Sequence, residues 1–177
     1  MLHFGVWENT PRALPLLRGI PHVLWTDARR APGALDALLV MPPAAGGRRA
    51  HAGPPEGSRF PAAATTLLPG ELAGRAGPLA AQTVTYGLSP LDTLTLSSVE
   101  DGSLFVALQR ELVTLAGARV ERQEWKIPEI WGREATVALC GALLLCGVPP
   151  PEIGVYWESG RHKKSPSSVR LGKQTFS

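Results

Sequence analysis

Residues 82–108, QTVTYGLSPLDTLTLSSVEDGSLFVAL, decide how the chain folds. Gln82 to Tyr86 reads as a strand, and Gly87 then permits a sharp exit from it. From Thr93 the pattern alternates, with Thr93, Thr95 and Ser97 on one face and Leu94, Leu96 and Ser98 on the other. Asp101-Gly102 is a two-residue hairpin signal that turns the chain back into Leu104 to Leu108, and a second turn at Ala116-Gly117 leads into Val120 to Ile127. Leu104, Leu108, Leu112 and Leu115 also fit one helical face, with Gly117 as its stop. The valines, the threonine and the bracketing turns favour strands, and the helical reading of 104–115 stays open.

Downstream, Pro128 closes the last strand, and a helix is expected from Glu129 or Arg133 to Cys146, rich in Ala and Leu nearly all round and therefore buried. Gly147 stops it, Pro149-Pro150-Pro151 prevents its continuation, and a short segment around Glu152 to Trp157 ends the core. Upstream, Leu2 to Trp7, His22 to Trp25, Leu35 to Met41 and Ala64 to Leu68 read as strands. Asn9-Thr10-Pro11 opens a helical segment ending near Gly19, and Pro42 to Pro61 reads as a surface loop. The expected fold is α/β: a Rossmann-like layered sheet continued by an antiparallel β-meander and covered by the buried Ala/Leu-rich helix. Residues 1–157 form one domain and 158–177 a basic, disordered tail.

Charge supports that division. The chain of 177 residues carries a net +3, but Arg161, Lys163, Lys164, Arg170 and Lys173 face only Glu158 in the last stretch, so residues 1–157 are nearly neutral. A nucleic-acid partner is not expected, because the body lacks a basic face and the tail has one Phe and no Trp or Tyr for stacking. Each of the five Trp side chains will want an N–H acceptor if buried. Cys140 and Cys146 lie about 120° apart around a helix and cannot pair there, so they read as buried thiols in a reducing cytoplasm. No signal peptide is visible at Met1-Leu2-His3-Phe4-Gly5, and the longest apolar run, Ala135 to Cys146, falls short of the roughly 20 residues a membrane span needs.

The order Val84-Thr85-Tyr86-Gly87, Asp101-Gly102-Ser103-Leu104-Phe105, Gly132-Arg133-Glu134-Ala135 with the Ala-rich stretch to Cys146, Gly147-Val148-Pro149 and Pro151-Glu152-Ile153 resembles the end of the central domain of the Mur ligases, over about 70 residues. In that family this region follows an ATP-binding core, with a Gly-x-His-Asn turn ahead of the Ala-rich helix. Here Glu134-Ala135 replaces His-Asn, and the only Gly-Lys is Gly172-Lys173 in the tail, so no phosphate loop ending in Gly-Lys-Ser or Gly-Lys-Thr exists. The resemblance therefore implies a non-catalytic, Mur-ligase-like bacterial protein with a ligand-binding or regulatory role near cell-wall precursor metabolism, and it argues against ATP-dependent ligase activity.

Candidate chemistry is sparse. His3, His22, His51 and His162 are scattered without a metal-ligand spacing, so no metal or cofactor is expected, and no residue carries a catalytic signature. Arg48 and Arg49, in Gly46-Gly47-Arg48-Arg49, are candidates for holding an anion, against the simpler reading of a flexible loop. Trp25, Asp27 and Arg29 follow one presumed strand, and Tyr86, Ser89 and Asp92 follow another, which is where open α/β sheets bind ligands. Asp27 has an equally good local role as a cap paired with a nearby Arg. Three function classes follow: a ligand-binding Mur-like domain, a small enzyme with a composite site at those strand ends, or a protein-interaction module using the hairpin from Leu104 to Ile127. The partner is an unknown small ligand or protein, with no membrane.

Overall fold

The computed structural model describes residues 1–9, 13, 17, 20–31, 33–43, 60–75, 80–129 and 131–162, with side chains as far as Trp157 except that of Arg75. Eight strands form one sheet: β1 (Leu2–Trp7), β2 (Val23–Asp27), β3 (Leu35–Val40), β4 (Ala63–Pro69), β5 (Gln82–Gly87), β6 (Leu94–Glu100), β7 (Ser103–Leu108) and, after the short β8 (Leu112–Val113) and β9 (Arg119–Val120) hairpin, β10 (Gln123–Pro128). Their order is β10-β7-β6-β5-β4-β3-β1-β2. From β2 to β6 all neighbours are parallel, and β6, β7 and β10 pair antiparallel. This is the layered α/β sheet continued by a meander.

Parallel neighbours normally need a crossover of a dozen or more residues, yet β5 and β6 are joined by residues 88–93 alone. The register explains it. The two strands pair only at Tyr86↔Leu94 and Gly87↔Thr95, so β6 begins where β5 ends and the link need not run back along β5. Thr85 and Thr93 clasp the ends of the link through reciprocal backbone-to-hydroxyl bonds of 3.4 and 3.0 Å. β6 and the strands paired to it therefore continue past the level at which β5 ends.

The open question over 104–115 resolves as strands. Asp101 (φ 46°) and Gly102 (φ 74°) both take the left-handed conformation that a primed hairpin turn requires, and Leu104 to Leu108 pair with β6 and β10. One alternation is corrected. A register shift between Leu96 and Ser98 places Ser98 opposite Phe105, so Ser98 turns to the exposed face and does not continue the Leu94 and Leu96 row. The small hairpin is tied to the sheet by Gln82, whose amide donates to Val113 O (3.0 Å) and accepts from Val113 N (3.1 Å), copying a strand partner. Across it Arg119 pairs with Glu111 at 2.9 Å.

Helix α1 (Arg133–Leu145) lies across β3 to β6 with every residue from Thr136 to Leu145 buried. Gly147 (φ 84°) ends it, its N–H reaching Leu144 O at 2.9 Å while Val148 N reaches Leu143 O at 3.0 Å, so the last carbonyls are satisfied. The prolines that prevent continuation also start a second helix. Helix α2 (Pro150–His162) is longer than the short segment expected, because proline at a first turn surrenders no helical bond. It seals the meander with Ile153 and Trp157. Ala13 and Leu17 are helical and buried against the same face; the rest of the 10–19 segment, the 44–59 loop and the tail beyond His162 lie outside the described residues.

Burial explains the thiols and leaves the indoles short. Cys140 is held well above its ordinary pKa by burial, with the Trp125 indole beside it acting in the opposite sense, and Cys146 is pushed up to about 12. Contrary to expectation, the Nε1 groups of Trp25 and Trp157 are buried without a hydrogen-bond partner among the described residues, and that of Trp125 has at best the weak contact with the Cys140 sulfur, so packing of the ring outweighed satisfaction of its N–H. Among the described residues no single helix is long and apolar enough to cross a membrane; α1 and α2 together have the length but are bent by 117°.

Candidate functional site

Parallel strands deliver their carboxyl ends to one edge, and there the structure holds a cavity of about 220 Å³. Its walls come from Pro42 and Pro43 after β3, Pro69, Gly70 and Glu71 at the end of β4, Tyr86 to Ser89 with Asp92 after β5, and Glu134 in the first turn of α1. The 88–93 link shapes it. Asp92 N donates to Ser89 O (3.0 Å), Leu91 N to the Ser89 hydroxyl (3.2 Å), and Arg110 holds Leu91 O at 3.2 Å.

Asp92 is the central group. It is only 6% exposed, and its carboxylate sits against Gly70 and Gly87, where a Cβ on either residue would collide with it. Its Oδ2 accepts from Ser89 N at 3.3 Å, and no described donor reaches Oδ1. A carboxylate can accept about four hydrogen bonds, so most of this one's capacity is left open, and Oδ1 is not among the fully buried atoms that lack a partner but faces the cavity. Tyr86 stands beside it, fully buried, its hydroxyl donating to Val40 O at 2.6 Å. Burial first, and then the charges of Glu134 and Glu71, push its phenol well above the usual range.

Of the residues singled out in the sequence, Tyr86, Ser89 and Asp92 are brought together here. Trp25, Asp27 and Arg29 are not: β2 is the far edge strand, separated from β5 by β1, β3 and β4. Trp25 stacks on Phe4 (ring centroids 4.3 Å apart) and belongs to the core. Asp27 caps the 3-10 turn Ala28–Arg30 and pairs with Arg29 at 2.8 Å, a bond that lowers its pKa. That pair does the local work of ending a strand. A composite site joining the two segments is therefore not formed. Arg48 and Arg49 lie outside the described residues.

Sequence reasoning missed Glu71 and passed over Glu134 as a site residue. A signal existed: β4 ends Pro69-Gly70-Glu71 as β5 ends Tyr86-Gly87, glycine at the carboxyl end of adjacent parallel strands, where close approach is needed. Glu8 was missed too. It ends β1, where strand order reverses and where dinucleotide-binding sheets place a phosphate on the following helix. Here Glu8, 7% exposed, offers its own Oε2 to Ala13 N at 2.8 Å, so an internal carboxylate fills the role an incoming anion would take. Comparison with protein-family models, with characterised proteins and with solved structures finds no match.

Proposed function

We propose that this chain is a non-catalytic, Mur-ligase-like domain that binds a small polar ligand in the pocket at the carboxyl ends of β3, β4 and β5, and serves a regulatory role near cell-wall precursor metabolism in the bacterial cytoplasm. The observation that carries the ligand-binding reading is Asp92, a carboxylate lining a cavity with one oxygen left without a donor among the described residues. The Mur-like reading draws on the succession of a strand ending Tyr86-Gly87, a meander, the Ala-rich α1 and α2 opening at Pro150. The non-catalytic reading draws on Glu8 at the first strand-to-helix turn together with a sequence lacking a phosphate loop, since a triphosphate there would meet a carboxylate.

The test is amide chemical-shift mapping of the full chain with ATP and Mg²⁺, then with fragments of cell-wall precursors. Shifts confined to Glu71, Gly87 to Ser89 and Glu134 with the fragments, and none with millimolar ATP, are expected. A rise of several degrees in Tm with ATP would end the non-catalytic reading. Responses confined to β7 and β10 would move the function to the hairpin surface instead.

A further inference from the structure

Resting on that pocket reading, we infer that the ligand is recognised through a protonated amine. The described walls are rich in carboxylates. Glu71, Asp92 and Glu134 contribute carboxylates, and among the described residues no Lys, Arg or His lines the cavity. Three further lining residues, Pro42, Pro43 and Pro69, have no N–H to give. Two of the donors there are engaged within the protein, Ser89 N on Asp92 and the Tyr86 hydroxyl on Val40 O.

An anionic ligand would find three carboxylates and no cation among the described residues. An ammonium group brings three donors and no acceptor, which complements these carboxylates, and Oδ1 of Asp92, with no described donor, is the acceptor that faces it. The N-terminal end of α1 would favour an anion, but Glu134 in its first turn offsets that field. A divalent cation fits less well, because among the described residues no three His, Cys, Asp or Glu side chains are grouped closely enough to hold a metal ion. Dispersed carboxylates suit a molecule that presents an amine at one end and further donors along its length. A cavity of about 220 Å³ corresponds to roughly seven water volumes, the scale of an amino sugar or a short diamine.

The experiment titrates the ¹⁵N-labelled full chain with two matched pairs: glucosamine against N-acetylglucosamine, and 1,4-diaminobutane against 1,4-butanediol. The amines are expected to shift Glu71, Gly87 to Ser89 and Glu134, and their neutral partners to bind at least tenfold more weakly. The two pairs separate a sugar from an alkyl source of the amine. Asp92→Asn should weaken amine binding tenfold or more; because that substitution alters a buried group, Glu71→Gln and Glu134→Gln on exposed side chains provide independent variants, each expected to weaken it several-fold with Tm unchanged. Equal binding of the acetylated sugar, or indifference to all three substitutions, overturns the amine assignment while leaving the pocket reading intact. No response at those amides to any of the four probes overturns the amine assignment too, and only a response there to the precursor fragments would then preserve the pocket reading.

Discussion

The same substitution at two helical glycines should have opposite effects. Replacing Gly by Ala in a helix interior favours folding by about 1 kcal/mol through reduced backbone freedom. At Gly154 in α2 nothing opposes this, since the nearest atom to an added Cβ is Pro128 Cδ at 3.8 Å, an ordinary contact. At Gly141 in α1 the Cβ would lie 2.7 Å from Leu94 Cδ1 and 2.8 Å from Leu67 Cδ2, and both leucines are fully buried. Neither leucine has room to yield, so overpacking should cost about 1–3 kcal/mol there. Gly154→Ala is therefore expected to stabilise by about 1 kcal/mol, and Gly141→Ala to be neutral or destabilising by up to about 2 kcal/mol. Urea unfolding midpoints with an unchanged m-value read the difference, and Tm should separate the two by several degrees, at about 2–4 °C per kcal/mol for a chain of this size. Stabilisation of equal size at both sites would refute the close seating of α1 on β4 and β6.

Gly102→Ala should destabilise by about 1 kcal/mol, because Gly102 sits at φ 74° in the hairpin turn, with thermal melts as the check. Gln82→Ala removes both bonds to Val113 and should lose about 1–3 kcal/mol of local stability, seen as faster hydrogen exchange at the Val113 amide. Stability should fall in alkali: Cys146 ionises near 9 when unfolded but only at about 12 when folded, so the folded chain holds the extra proton, and its contribution is full below about pH 9 and declines above it by about 1.4 kcal/mol per pH unit. Cys146→Ala should flatten that decline, and Tyr86→Phe should remove a further part beginning near pH 10, as the phenol is also held protonated. Titration of native protein with a thiol reagent at pH 7 should show both cysteines reacting far more slowly than in urea.

Much of the fold was legible because its signals are local. Asp101-Gly102 dictates a primed turn by its own backbone preferences, Gly147 stops α1 by accepting positive φ, and Asp27 and Arg29 meet within a single turn. Such effects act across a few residues, so a linear reading captures them. The bulge at Leu96 was not legible, since a one-residue slip is chosen by which side chains β7 presents opposite. Nor was the second role of the triple proline, which depends on whether the meander has an apolar face for α2 to cover. The sequence proposed Tyr86, Ser89 and Asp92 and grouped them with Trp25, Asp27 and Arg29 at strand ends, but only tertiary structure separates the two sets and adds Glu71 and Glu134 to the first. Strand order in a parallel sheet is set by how crossovers close and which faces are buried, and no spacing along the chain encodes it. The pocket draws on residues from Pro42 to Glu134, and it exists because β6 starts at the height where β5 stops.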